Sequence, residues 1–203
     1  MKAILIHGMG RTPASMLMMA MRLKAAGIKS HCFAYTVTLD TWQSCTQRLE
    51  TFINQHTQQD DYIIIGHSLG TVLTRAIFNQ LKRKPIACFF LAPPTTACLA
   101  AKKLSSWRLY KLLMGDMGQL LANESFMNAL PIPDVPTKIY AGVAGAQGKY
   151  SPFGSTPNDG VLMLDETQLN NIPLQIVPAV HTFIMNHKAV AEDIVSITKA
   201  YQQ

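Results

Sequence analysis

The sequence predicts an α/β fold in three layers, with a mostly parallel sheet and helices on both of its faces. Two observations carry this prediction. Short apolar runs, typical of strands buried on both faces, alternate along the chain with longer segments of helical periodicity. One of these runs, at 62–65, ends in the pentapeptide GHSLG at 66–70, and helical periodicity follows it directly. The alternation favours crossover connections that place parallel strands side by side.

The elements follow one another in a regular order. The first strand is predicted at 3–6, and Thr12 with Pro13 marks the start of a helix that ends at about Ala26, before Gly27. The remaining segments are a strand at 31–37, a helix at 41–56, a strand at 62–65, a helix at 71–82, a strand at 86–92, helical stretches near 97–113 and 119–129, strands at 137–141 and 174–177, and a helix at 186–201. We expect a single domain over 1–203, with a small helical cap or insertion at about 95–136.

Composition narrows the classes of protein to consider. The 203 residues are 48% hydrophobic and 15% charged, which is typical of a globular chain that can bury a sizeable core. The net charge of +6 is dispersed, so we expect no nucleic-acid partner and at most weak peripheral association with anionic membranes. No apolar stretch is long enough for a membrane span or a signal peptide, which predicts a cytoplasmic protein. The four cysteines lack metal-ligand spacing, so no metal and no cofactor are expected.

The GHSLG pentapeptide places Ser68 between a strand and a helix. This is the nucleophile elbow of an α/β-hydrolase, in which a strained turn exposes a serine at the end of a strand. Gly66 and Gly70 suit that turn, because a side chain at either position would hinder the approach of strand and helix. A GxSxG match alone is weak, but both flanking elements that the motif requires are present. We therefore interpret Ser68 as a catalytic nucleophile.

A serine hydroxyl needs a base, and the base needs an acid that orients it. Only His181 and His187 follow Ser68, and His187 is predicted to be a surface residue of the last helix, so His181 is the candidate base. The candidate acid is Asp159, which follows the strand at 137–141 and lies 22 residues before His181. Its Asn-Asp-Gly context is also typical of an ordinary turn, so Asp165 and Glu166 stay open as alternatives.

Acyl transfer also requires donors for the developing oxyanion. We expect these donors to be the backbone N–H groups of Leu69, in the elbow, and of Met9, in the glycine-containing loop after the first strand. The neighbouring positions His7, Gly8, Gly10 and His67 are candidates for contact with substrate. The two histidines among them are predicted to serve packing and hydrogen bonding rather than proton transfer.

Two further groups of side chains have an open interpretation. Methionines crowd the first helix, at positions 16, 18, 19 and 21, and flexible thioethers suit an adaptable pocket as well as a core; core filling is the favoured interpretation. Within the insertion, the sequence does not decide whether four large side chains face the site or solvent: Trp107, Tyr110, Leu112 and Leu113.

With these motifs in order, the chain resembles lipase-like α/β-hydrolases, the small bacterial serine esterases and lipases. The resemblance spans nearly the whole chain and includes HGMG at 7–10, GHSLG at 66–70, NDGV at 158–161 and HTF at 181–183. It implies Ser68, Asp159 and His181 as the triad, with Met9 and Leu69 as oxyanion donors. A GDMGQ segment at 115–119 also resembles a group of small bacterial hydrolases. Phe183 stands where calcium-dependent lipases carry an aspartate ligand, so no structural calcium is expected.

The predicted function is hydrolysis of carboxylic esters with short to medium acyl chains, through an acyl-enzyme. The same triad also suits a thioesterase, an acyltransferase or an amidase. A non-catalytic binder of lipid or protein, built on the same scaffold, is the alternative from another class. The natural substrate and the oligomeric state do not follow from the sequence.

Overall fold

The computed structural model describes residues 1–104, 108–149 and 151–202, with side chains omitted from 103 to 113. Its centre is a sheet of six parallel strands in the order β2-β1-β3-β4-β5-β6. The strands are β1 Lys2–Ile6, β2 Lys29–Phe33, β3 Tyr62–His67, β4 Ala87–Leu91, β5 Thr137–Gly142 and β6 Leu174–Val177. Because every strand pair is parallel, all six carboxyl ends lie along one edge of the sheet.

Helices connect the strands and cover both faces of the sheet. They are α1 Leu17–Ala25, α2 Trp42–Thr57, α3 Leu69–Ile77, α4 Leu99–Leu104, α5 Arg108–Leu120, α6 Glu124–Ala129 and α7 Lys188–Ala200. Two separate apolar cores result, one on each face. Alternate residues of β3 divide between them: Ile64 packs with α2 and α3, and Ile65 packs with α1 and α7. The three-layer prediction is therefore confirmed, and no described helix is long and apolar enough to cross a bilayer.

Several boundaries differ from the sequence prediction. The second strand ends at Phe33 rather than at position 37, because the Asp40 carboxylate accepts a hydrogen bond from Thr36 N–H and the chain turns back there. Tyr35 nevertheless stays buried. The elbow helix starts two residues early, at Leu69, and its α-helical part ends at Ile77 before a short 3-10 turn.

The two ends of the chain show similar corrections. The first helical turn, Pro13–Met16, is 3-10, and Thr12 precedes it without a capping hydrogen bond from its side chain. The last α-helix begins at Lys188, after a 3-10 segment at His181–Asn186. His187 lies at the N-cap of that helix and is half-buried, so the prediction of an exposed residue inside the helix is wrong.

Candidate active site

The strand β3, Ser68 and the helix α3 form a sharp elbow. Ser68 has φ 49° and ψ −120°, a region that non-glycine residues seldom occupy, and such strain is common at functional turns. The flanking glycines permit the close packing that the turn needs. A Cβ on Gly66 would lie 3.0 Å from the backbone of Gly70, and a Cβ on Gly70 would lie 2.8 Å from the carbonyl oxygen of His7. The second approach joins the elbow to β1, a contact that sequence reasoning missed.

Asp159 and His181 form a buried hydrogen-bonded pair. The His181 Nδ1–H donates to Asp159 Oδ2 at 2.7 Å, and in the tautomer that carries this hydrogen Nε2 is the acceptor nitrogen. The other carboxylate oxygen, Oδ1, accepts the backbone N–H groups of Val161 at 2.9 Å and Leu162 at 2.7 Å. A backbone bond from His181 N–H to the Asp159 carbonyl, at 2.8 Å, fixes the two loops against each other. The ring is thereby held in one orientation.

Ser68 and His181 line the same cavity. The hydrogen bonds of the described residues do not include one from Ser68 Oγ to His181 Nε2, and such contacts often tighten only when substrate binds. Ser68 is 9% exposed and His181 8%, so both side chains are largely buried yet reach the cavity surface. The Ser68 side chain and the His181 ring therefore border one space.

The glycine loop after β1 lies directly against the elbow. A Cβ on Gly8 would lie 2.7 Å from His67 Nδ1 and 3.1 Å from Ser68 Cβ, so only glycine fits without movement of the neighbours. Gly10 has φ +63°, a conformation that glycine adopts without strain. Met9, between them, lines the cavity. The loop thus brings its backbone close to Ser68.

The two histidines predicted as candidates for contact with substrate, His7 and His67, have different surroundings. His7 stacks on Tyr35 with ring centroids 4.2 Å apart, and its Nδ1–H donates to the Gly8 carbonyl. His67 lines the cavity, and its Nε2–H donates to the His181 carbonyl oxygen at 3.0 Å. Burial, the neighbouring His181 and Arg11 hold the pKa of His67 well below its usual value. Both rings are therefore neutral supports rather than proton carriers; of the four predicted substrate contacts, the described cavity lining includes His67 alone.

The leucine that follows Ser68 opens α3. The first N–H groups of a helix have no partner within the helix, and they carry its partial positive charge. The Leu69 N–H is one of these groups, and its side chain is fully buried in the core.

The cavity beside Ser68 has a volume of about 260 Å³, close to the lower end of the range for small-molecule sites. Its wall is mostly apolar, and the helices between β4 and β5 supply part of it. The apolar lining consists of Met9, Pro94, Ala100, Ala101, Met114, Leu121, Val161 and Leu162. Larger concavities of about 520 Å³ lie beside β2 and α1, but Ser68, Asp159 and His181 line neither of them.

The structure shows which methionines of the first helical segment fill the core. Met16 and Met19 are fully buried in the core, Met18 and Met21 are exposed, and none of the four lines this cavity. Trp107 and the side chains of Tyr110, Leu112 and Leu113 lie outside the described residues.

Two buried charged side chains near the site were not predicted in the roles they have. Glu166 accepts the N–H of Leu99 through Oε1 and that of Met163 through Oε2. Arg75, on α3, donates to the carbonyl oxygens of Leu130 and Pro131. Apart from Met163, these partners are backbone groups 55 to 67 positions away, so no local pattern could have shown them.

No cluster of three metal-ligating side chains occurs among the described residues. Phe183, which stands at the position of the lipase calcium ligand, is 60% exposed. Its phenyl ring supplies no oxygen for a hard cation such as Ca²⁺, which binds through oxygen ligands.

Neither a family model nor a curated protein sequence matches the chain. Solved structures do match over nearly its full length. The mature form of lipase BlEst2 from Bacillus licheniformis has a TM-score of 0.79 at 15% identity, covering 97% of this chain and 91% of that one. A hydrolase of the α/β superfamily from Xanthomonas campestris pv. campestris gives 0.65 at 16%, with 98% of each chain covered. A pyrethroid hydrolase from Sphingobium faniae JZ-2 gives 0.64 at 14%, with coverage of 98% and 97%. The chain therefore has the α/β-hydrolase fold.

Proposed function

We propose that this protein is a serine hydrolase that cleaves carboxylic esters with short to medium acyl chains. One observation carries the proposal: Ser68, in a strained elbow, faces the same cavity as a histidine oriented by a buried carboxylate. That set of groups is what acyl transfer to a serine requires. The fold shared with a lipase and with other hydrolases supports the same reaction class.

In the proposed reaction, Ser68 Oγ attacks the ester carbonyl carbon while His181 Nε2 takes the hydroxyl proton. The tetrahedral intermediate places its oxyanion toward the backbone N–H groups of Leu69 and Met9. Its collapse breaks the bond to the leaving alkoxide, which receives the proton from His181 and departs as an alcohol. Water then attacks the acyl-enzyme by the same route, releasing the carboxylic acid and the Ser68 hydroxyl. Asp159 accepts the Nδ1–H of His181 throughout and stabilises the imidazolium.

The form of the cavity favours small acyl groups. A volume of about 260 Å³ limits the site to a short to medium acyl chain. The largely apolar wall favours binding of that chain, since burial of each methylene contributes about 0.8 kcal/mol. We infer that the segment 95–136 acts as a cap, because Cys98, Ala100, Ala101, Met114 and Leu121 all reach the cavity wall.

Labelling with a fluorophosphonate probe tests the proposal. The native protein should be labelled at Ser68, and the label should disappear in Ser68→Ala. Ser196→Ala, on an exposed position of α7, is the matched control and should label like the native protein. A folded native protein that takes up no label would refute the proposal and favour a non-catalytic binder.

The leaving group is tested separately. Rates on p-nitrophenyl esters, acyl-coenzyme A thioesters and anilides, measured with the same preparation, distinguish an esterase from a thioesterase or an amidase. We expect the ester to have the highest kcat/KM. A thioester or anilide hydrolysed faster would transfer the proposal to that substrate class and leave the triad in place.

A further inference from the structure

The cavity beside Ser68 has one permanently charged side chain in its described lining, and it is Arg11. This residue is exposed and lines the cavity, so it lies on the rim where the cavity opens to solvent. It belongs to the loop that carries Met9, next to the candidate oxyanion donor. A substrate bound at Ser68 therefore lies in a cavity with a positive charge in its lining.

Arg11 is held in place without being neutralised. Its Nη2–H donates to Thr182 Oγ1 at 2.9 Å, and Thr182 directly follows His181. Among the described residues, no carboxylate lies within ion-pair distance of Arg11. The candidate acid Asp159 is 2% exposed, and its oxygens are already bonded to His181 and to the backbone.

The rest of the rim and wall does not offer a competing anion. Besides Arg11, the lining consists of apolar side chains, a cysteine, the hydroxyl residues Ser68 and Thr182, and the rings of His67 and His181. Burial raises the pKa of Cys98, so its thiol stays protonated at neutral pH. A guanidinium presents five N–H donors in a planar fork that matches carboxylate and phosphate oxygens, and only one of these donors is used by Thr182.

We propose that Arg11 makes the site selective for acyl esters or thioesters that carry a carboxylate or phosphate on the part projecting from the cavity. This inference depends on the proposed hydrolase function and adds a substrate class to it. The apolar wall accepts the acyl chain, and the guanidinium binds the anionic end at the rim. The anion belongs either to the far end of the acyl chain or to the leaving group.

Matched substrates separate these two sources. The neutral reference is p-nitrophenyl butyrate; p-nitrophenyl hemisuccinate places a carboxylate on the acyl chain. A p-nitrophenyl butyrate with a carboxylate on its phenyl ring, and butyryl-coenzyme A, place the anion on the leaving group. The measured quantity is kcat/KM for each anionic substrate divided by kcat/KM for the neutral ester.

Arg11→Gln should lower this ratio by about three- to tenfold for at least one anionic substrate, because a solvent-exposed charge is partly screened. High salt should reduce the native ratio toward the value of the variant. Arg22→Gln is the matched control: Arg22 donates to the Asn186 carbonyl at the far end of the same 3-10 segment, and its loss should leave the ratio unchanged.

Thr182→Val tests whether the kcat/KM ratio depends on the hydrogen bond between Arg11 and Thr182 rather than on the charge of Arg11. It removes the acceptor of Arg11 but keeps the guanidinium, so the ratio should stay within about twofold of native. The proposal is overturned if Arg11→Gln leaves every ratio unchanged while p-nitrophenyl butyrate is still cleaved, or if it lowers all substrates equally. An enzyme that cleaves no substrate and takes up no fluorophosphonate would instead refute the hydrolase function.

Discussion

The substitution Asp159→Asn would separate two roles of the Asp159 carboxylate, which orients His181 and holds its own loop. The two roles can be separated because the two carboxylate oxygens have different partners. Oδ1 accepts two backbone N–H groups, from Val161 and Leu162, and Oδ2 accepts the Nδ1–H of His181. An asparagine side chain keeps one acceptor oxygen. We expect that oxygen to face the two backbone donors, since an NH₂ group there would oppose two N–H groups. The NH₂ then faces the imidazole.

This orientation forces the imidazole into the wrong tautomer. Nδ1 of His181 must accept, so Nε2 carries the hydrogen and cannot take the proton of Ser68. We expect Asp159→Asn to lower kcat by about 10⁴-fold, which corresponds to about 5.4 kcal/mol of transition-state stabilisation. The free energy of unfolding should fall by only about 1 to 3 kcal/mol, because both backbone hydrogen bonds are kept and the charged hydrogen bond to His181 is replaced by a neutral one.

Steady-state hydrolysis of p-nitrophenyl butyrate and unfolding in urea measure the two effects. Asp165→Asn is the matched control, since Asp165 is an exposed carboxylate on the same segment, and it should leave both quantities near native. Asp159→Ala should be as inactive as Asp159→Asn but less stable by a further 1–3 kcal/mol or so, since Val161 and Leu162 lose their acceptor. Retention of more than a tenth of native kcat in Asp159→Asn would refute the tautomer argument.

Three further substitutions test the packing and charge around the site. Gly70→Ala would press a Cβ against the carbonyl oxygens of Ile6 and His7 and should lower the free energy of unfolding in urea by about 1–3 kcal/mol; an unchanged midpoint would contradict the packing. Glu166→Gln keeps one acceptor for two buried backbone donors and should cost about 1–3 kcal/mol by the same measurement, whereas Glu166→Asp, too short for both, should cost at least as much. Burial holds the pKa of His67 well below its usual value, so the unfolded chain binds a proton that the folded chain does not. The free energy of unfolding should therefore fall as pH drops from about 7.5 to 5, by at most about 2 kcal/mol from this group, and His67→Gln should show a weaker pH dependence; an identical dependence in both proteins would rule the ring out as its source.

The sheet and the elbow were predictable because their signals are local. Each central strand is a short apolar run, and the last strand, Leu174–Val177, has the predicted bounds. The GHSLG pentapeptide specifies its own turn through glycines on either side of Ser68. The order of the remaining groups along the chain, with an acid after β5 and a histidine after β6, follows from the parallel sheet, since both strands end at the same edge.

What the sequence could not predict are contacts between distant backbone and side-chain groups. Arg75 binds carbonyl oxygens 55 and 56 positions away, and Glu166 binds an N–H 67 positions away. From the sequence, Glu166 is a candidate only as an alternative catalytic acid, and its contact with Leu99 is not predicted. The predicted length of the second strand was wrong for a similar reason. The end of β2 depends on a turn closed by Asp40, whereas the strand-like pattern of the sequence continues past that point.

The same distant contacts explain how the apolar wall is positioned relative to Ser68. Arg75 lies on the elbow helix and binds the end of α6, and burial lowers its pKa only to about 10, so it stays charged at neutral pH. Glu166, in the segment after Asp159, binds the start of α4, and Asp116 of α5 accepts the N–H of Trp42 at the start of α2.

Each of these charged groups therefore joins the segment between β4 and β5 to a helix that packs on the sheet, α2 or α3, or to the loop that carries Asp159. Arg75 and Glu166 are buried, and a buried charge with only backbone partners costs desolvation energy, so its retention has to be offset by the hydrogen bonds it makes to otherwise unpaired groups. Leu99, a partner of Glu166, lies between Cys98 and Ala100, which both line the cavity, so loss of this anchor should shift the wall before it disturbs Ser68 and His181. Substitution of such an anchoring side chain would therefore change the range of substrates that the cavity accepts before it changes the rate of the chemical step.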